Sequence, residues 1–113
     1  MIHLVTAIIK PHKLGEVRDA LAAAGTLGLT VSEVQGFGRQ RGKSETFRGS
    51  EYQIDFVPKV KVEVLVDDAI VDAAIDALAN AARTGQIGDG KVWSVEVGRL
   101  RRVRTGERDV EAL

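Results

Sequence analysis

The sequence predicts an α+β fold of the ferredoxin-like, split βαβ kind, a four-stranded antiparallel sheet with two helices on one face. Three observations predict it. The 113 residues include 44% hydrophobic side chains, enough for a single domain over residues 1–113. Strand and helix patterns follow one another in the order β-α-β-β-α-β, with a long loop between strands 2 and 3. The two halves are also alike, because each has a helix rich in small residues.

The first half opens with a strand at residues 2–9. It is rich in β-branched side chains and closed by Lys10-Pro11, because the residue before a proline is disfavoured in a helix. An amphipathic helix of about three turns follows, with Gly25 where a left-handed C-cap is expected. Residues 29–35 can form the second strand. The apolar positions of the helix are Leu14, Val17, Leu21 and Ala24.

The second half has a cleaner strand at residues 59–66, in which valines alternate with other residues. Asp67 and Asp68 are expected to cap the next helix, which Gly85 ends, and residues 92–97 form the last strand. One face of this strand holds Val60, Val62, Val64 and Val66, and the other holds Lys59, Lys61, Glu63 and Leu65. The apolar stripe of the helix is Val71, Ile75, Leu78 and Ala82. Because both helices cover one sheet face, the other is expected to meet another subunit.

Composition excludes several classes of protein. Sixteen basic and sixteen acidic residues cancel, which argues against nucleic-acid binding and attraction to an anionic membrane. The absence of cysteine removes disulfides and thiolate zinc sites and fits a cytoplasmic protein. No apolar run approaches the roughly 20 residues that span a bilayer, and the first residues lack signal-peptide features. We therefore expect no membrane insertion and a mature protein equal to the whole chain.

The connection over residues 36–58 is far longer than a usual hairpin loop of about 2–5 residues. It combines glycines and arginines with few large apolar groups, and ordering each residue costs roughly 1–2 kcal/mol. Two interpretations stay open: a mobile loop that orders on a ligand or partner, and an extended hairpin with a mobile tip and no function. The length favours the first, because such loops in compact domains are usually functional.

Residues 84–91 have the spacing G-x-x-x-x-G-K of a phosphate-binding P-loop but fail two tests for one. Val92 follows Lys91 where a P-loop needs a hydroxyl, and the segment runs from a helix into a strand. Its glycines still let backbone N–H groups approach an anion, and Lys91 adds a charge. A solvated glycine-rich turn explains the segment equally well. Residues 36–42 likewise miss the dinucleotide-binding fingerprint.

The tail at residues 99–108 is the densest basic stretch of the chain. If it is extended, Arg102 and Arg104 project to the same side and offer two guanidinium groups to phosphate oxygens. Together with Lys91 they would anchor a triphosphate. A solvated charge run is the alternative, and it is weakened by the second anion-suited segment in the same small chain.

Signals for catalysis are weak. His3 and His12 have no nearby metal-ligand companion, so both are expected to be structural. No carboxylate is marked out as a buried acid or base, and no G-x-S-x-G elbow occurs. The sequence therefore predicts a protein that binds a phosphorylated ligand and is not an enzyme, with slow nucleotide hydrolysis as an alternative. An RNA-binding module shares the element order, but the central strands lack paired aromatic residues to stack bases.

Five segments, in order and with matching spacing, resemble the PII nitrogen-regulatory signal-transduction proteins over essentially the whole chain. Each is a weak signal alone, but together they are highly specific. They are Lys10-Pro11, Gly36-Phe37-Gly38-Arg39-Gln40, Phe47-Arg48-Gly49-Ser50-Glu51-Tyr52, Thr84-Gly85-Gln86-Ile87-Gly88-Asp89-Gly90-Lys91 and Arg102-Val103-Arg104-Thr105-Gly106-Glu107. Phe47, where tyrosine is usual, and Trp93, where phenylalanine or a smaller residue is usual, depart from the family pattern.

The resemblance implies a homotrimer of ferredoxin-like subunits that senses nitrogen, carbon and energy status. In such proteins ATP and ADP compete for clefts between subunits, and 2-oxoglutarate binds beside Mg-ATP at the base of the long loop. The loop regulates partner proteins such as an ammonium transporter, a nucleotidyl-modifying enzyme or a nitrogen-metabolism enzyme.

The resemblance also implies roles for individual residues. The nucleotide would be held by Thr30, Gly36, Gly38, Arg39, Gln40, Glu63, Leu65, Gly88, Asp89, Gly90 and Lys91, with Arg102 and Arg104 reaching in from the neighbouring subunit. The 2-oxoglutarate would be held by Gln40, Gly42, Lys59, Ile87 and Gly88. Gln40 would also bind Mg²⁺. Tyr52 matches the loop tyrosine that is uridylylated or adenylylated in many members, and Ser50 matches a serine phosphorylated in some lineages.

Overall fold

The structure is a computed structural model that describes residues 1–37, 44–47, 50–53 and 56–113. Its strands are β1 (Ile2–Ile9), β2 (Thr30–Gly36), β3 (Ser44–Phe47), β4 (Ser50–Gln53), β5 (Val57–Asp67) and β6 (Lys91–Val97). Its α-helices are α1 (Leu14–Ala23) and α2 (Val71–Ala82). Short 3-10 turns occupy Pro11–Lys13, Asp68–Ile70 and Asp109–Ala112. The predicted strands and helices are present, with boundaries shifted by one or two residues.

Four of the strands form one antiparallel sheet in the order β2-β5-β1-β6. β1 lies inside the sheet, where Val5 pairs with Val64 of β5 on one side and with Ser94 of β6 on the other. β2 is an outer strand, and its Thr30 pairs with Glu63 of β5. A strand-helix-strand unit in each half with this strand order is the split βαβ arrangement, so the predicted fold class is confirmed.

The core lies between one face of this sheet and the two helices. Its members are Val5, Ala7 and Ile9 of β1, the four valines of β5, Val17 and Leu21 of α1, and Ala74, Leu78 and Ala82 of α2. The alternation predicted for β5 is confirmed, because all four valines at even positions are buried. Complete burial of one valine or leucine side chain contributes about 1.5–3 kcal/mol, so this layer is the main source of stability.

The start of α2 differs from the prediction that Asp67 and Asp68 cap the helix. Neither the 3-10 turn nor α2 has a capping bond from a side chain. Asp68 instead pairs with the first strand: its Oδ1 lies 2.7 Å from His3 Nε2, and its backbone N–H donates to Met1 O at 2.9 Å. The carboxylate therefore joins the start of β1 to the start of α2, and His3 has the structural role expected of it.

The long connection between β2 and β5 contains a short ladder that the sequence analysis does not predict. β3 and β4 pair antiparallel, with Glu45 opposite Tyr52 and Phe47 opposite Ser50. These two strands form a sheet of their own, separate from the main one. The mobility expected of this loop stays a prediction.

The basic tail forms a turn, so the extended conformation on which the common direction of Arg102 and Arg104 depends is not the one it adopts. Arg101 and Arg108 make an isolated antiparallel bridge. Between them, the backbone N–H of Arg102 donates to Glu107 O, and that of Gly106 donates to Arg102 O, both at 2.9 Å. Gly106 has a φ of +84°, a conformation that glycine adopts without a steric penalty. The turn, and not the alternation of a strand, therefore sets the directions of the arginine side chains.

The sheet face opposite the helices keeps several large apolar side chains in contact with solvent. Leu65, Trp93 and Val95 are 37%, 43% and 51% exposed. All three lie on this face, because Leu65 and Val95 both pair with Leu4 of the central strand and Trp93 is two residues before Val95. An apolar set on one sheet face is typical of a surface that binds another protein, and the subunit contact expected on this face stays a prediction.

Candidate functional site

A groove of about 420 Å³ opens at the end of the sheet where β2 begins. It contains three of the residues that the resemblance assigns to a nucleotide, Thr30, Glu63 and Leu65. The β2–β5 register places Thr30 opposite Glu63, and Leu65 follows two residues later on the same strand face. The other residues that line the groove are Leu4, Leu27, Gly28, Leu29, Val64, Leu100, Ala112 and Leu113. The groove is therefore mostly apolar, with a hydroxyl and a carboxylate among its lining groups.

The glycine-rich segment between α2 and β6 forms a tight turn, which we call the glycine turn and define as residues 84–91. Gly85, Gly88 and Gly90 have φ values of +85°, +95° and +93°, which side chains with a Cβ rarely adopt. The spacing that resembles a P-loop therefore has a structural cause here. The chain must reverse between helix and strand in a few residues, and glycines permit it.

Asp89 lies at the centre of the glycine turn. Its Oδ2 accepts the backbone N–H groups of Thr84 and Gly85, each at 2.8 Å, and its Oδ1 accepts the Thr84 hydroxyl. The hydroxyl bond, supported by the two backbone bonds and Lys10, holds the pKa of Asp89 well below its ordinary value, although partial desolvation opposes this. The carboxylate therefore stays ionised, and both of its oxygens accept hydrogen bonds from within the turn. We expect any contact of Asp89 with a phosphate to come from its backbone.

Lys59 approaches the glycine turn from β5. Its Nζ donates to the carbonyl oxygen of Gly88 at 2.5 Å, and the residue is only 8% exposed. Burial lowers the pKa of Lys59, the positive charge of Lys10 lowers it further, and Asp89 opposes both. Gly36, at the start of the long connection, packs against the stem of the same lysine, so that an added Cβ would lie 3.3 Å from Lys59 Cγ. Lys59 thus joins the base of the long connection to the glycine turn.

The two arginines expected to reach a neighbouring subunit differ in their surroundings. The Arg102 guanidinium donates to Leu113 O at 2.7 Å and lies 3.4 Å from Glu107 Oε2. The Thr105 hydroxyl, more than Arg102, lowers the pKa of Glu107, so this carboxylate remains an ionised partner. Arg104 is exposed at the turn. Within this subunit Arg102 therefore stabilises the tail, whereas Arg104 faces solvent.

The structure brings the expected site residues together in two groups and leaves some untested. Thr30, Glu63 and Leu65 share the groove, and Gly36, Lys59, Ile87, Gly88, Asp89, Gly90 and Lys91 lie at or beside the glycine turn. Gly38, Arg39, Gln40 and Gly42 lie outside the described residues, and so does the expected Mg²⁺ ligand. In the described ranges, no group of three or more His, Asp and Glu residues is placed to hold a metal ion. For Ser50 and Tyr52, only their places in β4 are described.

Sequence reasoning missed two residues of this region, Lys10 and Thr84, as functional candidates. Each belongs to a family motif without a role of its own, yet their side chains meet: Lys10 Nζ donates to Thr84 Oγ1 at 3.1 Å and lies 3.2 Å from Asp89 Oδ1. The Pro11 that follows Lys10 was the available signal, since it fixes Lys10 in an extended conformation at the end of β1. Pro11 does not, however, indicate that Lys10 contacts Thr84 and Asp89.

Neither α-helix in the described part of the chain has the length or the apolar run needed to cross a membrane.

Comparison with known proteins gives consistent matches. The family model described as Nitrogen regulatory protein P-II matches residues 2–107. Nitrogen regulatory protein P-II 1 of Escherichia coli (strain K12) is 54% identical over 109 residues, which cover 96% of this chain and 97% of that protein. Nitrogen regulatory protein P-II of Klebsiella oxytoca is 54% identical and that of Synechocystis sp. is 55% identical, each with the same coverage.

Proposed function

The chain belongs to the nitrogen regulatory protein P-II family, and from this premise we propose that it is a cytoplasmic sensor of nitrogen, carbon and energy status. It binds ATP or ADP and 2-oxoglutarate and regulates partner proteins through the long connection between β2 and β5. The family and the relatives that the chain matches are described as regulatory proteins, so the prediction that the chain is not an enzyme is confirmed.

The glycine turn is the observation that carries the nucleotide-binding proposal. Gly85 and Gly88 have positive φ and no Cβ to obstruct an anion. Because the N–H groups of Gly85 and Gln86 already donate within the turn, we propose that phosphates approach the backbone of residues 87–89. Lys59 contacts the carbonyl of Gly88, Lys10 contacts Asp89, and Lys91 is the last residue of the turn and the first of β6. A short backbone loop with three lysines around it suits the phosphates of ATP or ADP.

The groove supports the placement of the nucleoside. Its volume of about 420 Å³ lies within the range of about 300–1,000 Å³ that small-molecule sites occupy. Leucines provide apolar walls for a base, and Thr30 and Glu63 offer a hydroxyl and a carboxylate for polar contacts. The adenosine part of the nucleotide lies in this groove in the proposed complex.

The proposal includes a homotrimer. Leu65, Trp93 and Val95 leave apolar surface exposed on the open sheet face, and neighbouring copies would cover it. In the trimer, Arg102 and Arg104 of one subunit reach the phosphates bound at the next. Because Arg102 is already hydrogen-bonded to Leu113 O, we expect Arg104 to be the arginine that gains most from the ligand.

We place 2-oxoglutarate beside Lys59, with Ile87, Gly88 and Gly42 around it and Mg²⁺ on Gln40. The Lys59 ammonium group donates to Gly88 O, so its positive charge lies at the glycine turn. A carboxylate of 2-oxoglutarate would pair with that charge in the proposed complex. Because Mg²⁺ joins ATP to the oxoacid in this arrangement, each ligand should tighten the other.

Regulation by the long connection is proposed to act on partners such as an ammonium transporter, a nucleotidyl-modifying enzyme or a nitrogen-metabolism enzyme. Tyr52 is the proposed uridylylation or adenylylation site, and Ser50 a proposed phosphorylation site. A nucleotidyl group on Tyr52 would add bulk and negative charge that block docking. Mass spectrometry of protein from nitrogen-starved and nitrogen-replete cells tests this, since an unmodified Tyr52 peptide in both conditions removes the covalent part of the proposal.

Titration calorimetry with ATP, ADP and 2-oxoglutarate tests the binding function. Lys91→Ala should weaken ATP and ADP about 10- to 100-fold, the effect of losing a hydrogen bond to a charged group. Arg18→Ala is the control, because Arg18 is exposed on α1 and pairs only with its neighbour Asp19 among the described contacts. Equal affinity of the Lys91 variant and the wild type contradicts the phosphate assignment. Equal 2-oxoglutarate affinity with and without ATP contradicts the coupling through Mg²⁺.

A further inference from the structure

Lys10 joins the end of β1 to the glycine turn. Its side chain is 14% exposed, and its ammonium group contacts both Thr84 Oγ1 and Asp89 Oδ1. Thr84 begins the turn and Asp89 lies five residues later, and the Thr84 hydroxyl also accepts the backbone N–H of Gln86 at 3.1 Å. The Lys10 ammonium group, at the end of β1, therefore holds the two residues whose mutual hydrogen bonds close the turn.

Contact of the turn with β1 also has a steric component. Gly90 packs so closely on the carbonyl group of Ile8 that no Cβ fits between them. Ile8 also pairs with Lys91 in the β1–β6 ladder. The C-terminal end of the turn is thus fixed to β1 by packing and strand pairing, whereas its N-terminal end is fixed to β1 through Lys10.

We propose that Lys10 is a positioning residue of the nucleotide site: by holding Thr84 and Asp89 against the end of β1, it sets the backbone conformation of the glycine turn that receives the phosphates. This inference rests on the proposed function. Lys10 acts through Asp89, whose carboxylate carries the restraint on to the backbone N–H groups of Thr84 and Gly85. Without Lys10, Asp89 keeps its own bonds to Thr84 and Gly85, but the N-terminal part of the turn is no longer held against the end of β1, so the backbone conformation there is less restricted.

A purely electrostatic role for Lys10 makes a different prediction, which allows the two roles to be separated. If Lys10 only adds positive potential, then Asp89 subtracts from it, and Asp89→Asn should strengthen nucleotide binding. If Lys10 positions the turn through Asp89, then Asp89→Asn should weaken binding, because the backbone restraint is lost, and Lys10→Met should then add little. If Lys10 acts only by its charge, Lys10→Met should weaken binding equally with or without the Asp89 carboxylate, so the effect of Lys10→Met in the Asp89→Asn background decides between the two.

The experiment measures ATP and ADP affinity by calorimetry, well below the melting temperature, for Lys10→Met, Asp89→Asn and the double variant. Each single change is expected to weaken binding about tenfold. The double variant should bind no more weakly than the weaker-binding single variant, because both changes remove one shared restraint. Lys10→Arg should weaken binding much less than Lys10→Met. Lys13→Met is the matched control: Lys13 lies in the 3-10 turn before α1 and pairs with Glu16 of that helix, so this variant should bind like the wild type. Wild-type affinity in Lys10→Met, or tighter binding in Asp89→Asn, overturns the proposal.

Amide NMR of the ligand-free protein separates failure of this inference from failure of the proposed function. The cross-peaks of Gly85, Gly88 and Gly90 should shift or broaden in Lys10→Met and keep their positions in Lys13→Met. If the wild type binds no nucleotide, the proposed function fails, and these peaks alone decide whether Lys10 fixes the turn. Unchanged glycine peaks in Lys10→Met overturn the positioning role whatever the affinities are.

Discussion

Gly90 lies against Ile8 so closely that a Cβ added to Gly90 would come 1.7 Å from the Ile8 carbonyl oxygen. The atom in the way belongs to the backbone of β1, an interior strand of the sheet, so it cannot move aside as a flexible side chain would. The glycine turn is therefore packed directly on the sheet. Its position depends on two contacts of different kinds, this steric one and the ionic one made by Lys10.

Gly90→Ala should be much more destabilising than Gly85→Ala. Both glycines have positive φ, for which a side chain costs about 1–2 kcal/mol. Only Gly90 adds a clash with a backbone atom, because an added Cβ at Gly85 meets nothing within 4 Å. Urea unfolding of the two variants measures the difference. Equal losses of unfolding free energy would contradict the close contact with Ile8.

Asp89→Asn should change how stability depends on pH in acid. The pKa of Asp89 is lowered from 3.8 in the folded protein, chiefly by the Thr84 hydroxyl, so the unfolded chain binds a proton more readily. The stabilisation is therefore present above pH 3.8 and is lost as the pH falls below it toward the folded pKa.

Thermal unfolding between about pH 2 and pH 5 should thus show a flatter profile for Asp89→Asn than for the wild type. Asp19→Asn is the control, because Asp19 lies on the surface and pairs with Arg18. If stability depends on pH as steeply in Asp89→Asn as in the wild type, the Asp89 carboxylate does not contribute to the loss of stability in acid.

Arg102→Ala and Arg104→Ala should separate stability from ligand binding. Arg102 donates to Leu113 O and lies near Glu107. Its removal should lower the free energy of unfolding by about 1 kcal/mol, because the partial exposure of the pair weakens the interaction. The tail should also open in this variant. Arg104 is exposed, so its removal should change stability by no more than about 0.5 kcal/mol while weakening nucleotide binding. Hydrogen exchange of residues 99–113 and calorimetry measure the two effects. Equal exchange in both variants would contradict the role given to Arg102.

Val95→Glu should disrupt the proposed trimer. A carboxylate on the open sheet face would be desolvated at the subunit contact, which is unfavourable for an unpaired charge. Light scattering should give the wild type three times the chain mass of 12.2 kDa and Val95→Glu a smaller mass. Ala22→Glu is the control on the exposed surface of α1 and should stay trimeric. A wild-type monomer at micromolar concentration would contradict the trimer itself.

The parts of the fold that the sequence predicts correctly are those set by neighbours along the chain. Alternation is a property of consecutive residues, which is why residues 59–66 identify both the strand and its buried valine face. Gly25 ends α1 for a local reason too, since its φ of +97° is a conformation that glycine favours. The motif spacing also led to the correct family, because the spacing of a whole chain is far more specific than any one segment.

Features that depend on distant contacts were missed or wrongly assigned. Asp68 was expected to cap the helix beside it, but it bonds to His3, which lies 65 residues away in the chain. Lys10 gave no functional signal, because its partner Thr84 lies 74 residues away. A side chain that has a local and a remote partner available cannot be assigned from local pattern alone.

The position of β1 in the sheet has a consequence for the newly made chain. Ile2 pairs with Asp67 on one side and with Val97 on the other, so this early strand obtains both of its neighbours from the second half of the sequence. Pairings across such distances slow folding, because a long loop must close before they form. A chain still on the ribosome and shorter than residue 57 would therefore hold an apolar strand with two unpaired edges, a form prone to aggregation. We expect folding to wait for the second half to be synthesised, and prematurely terminated chains to need a chaperone or degradation rather than to retain half of the structure.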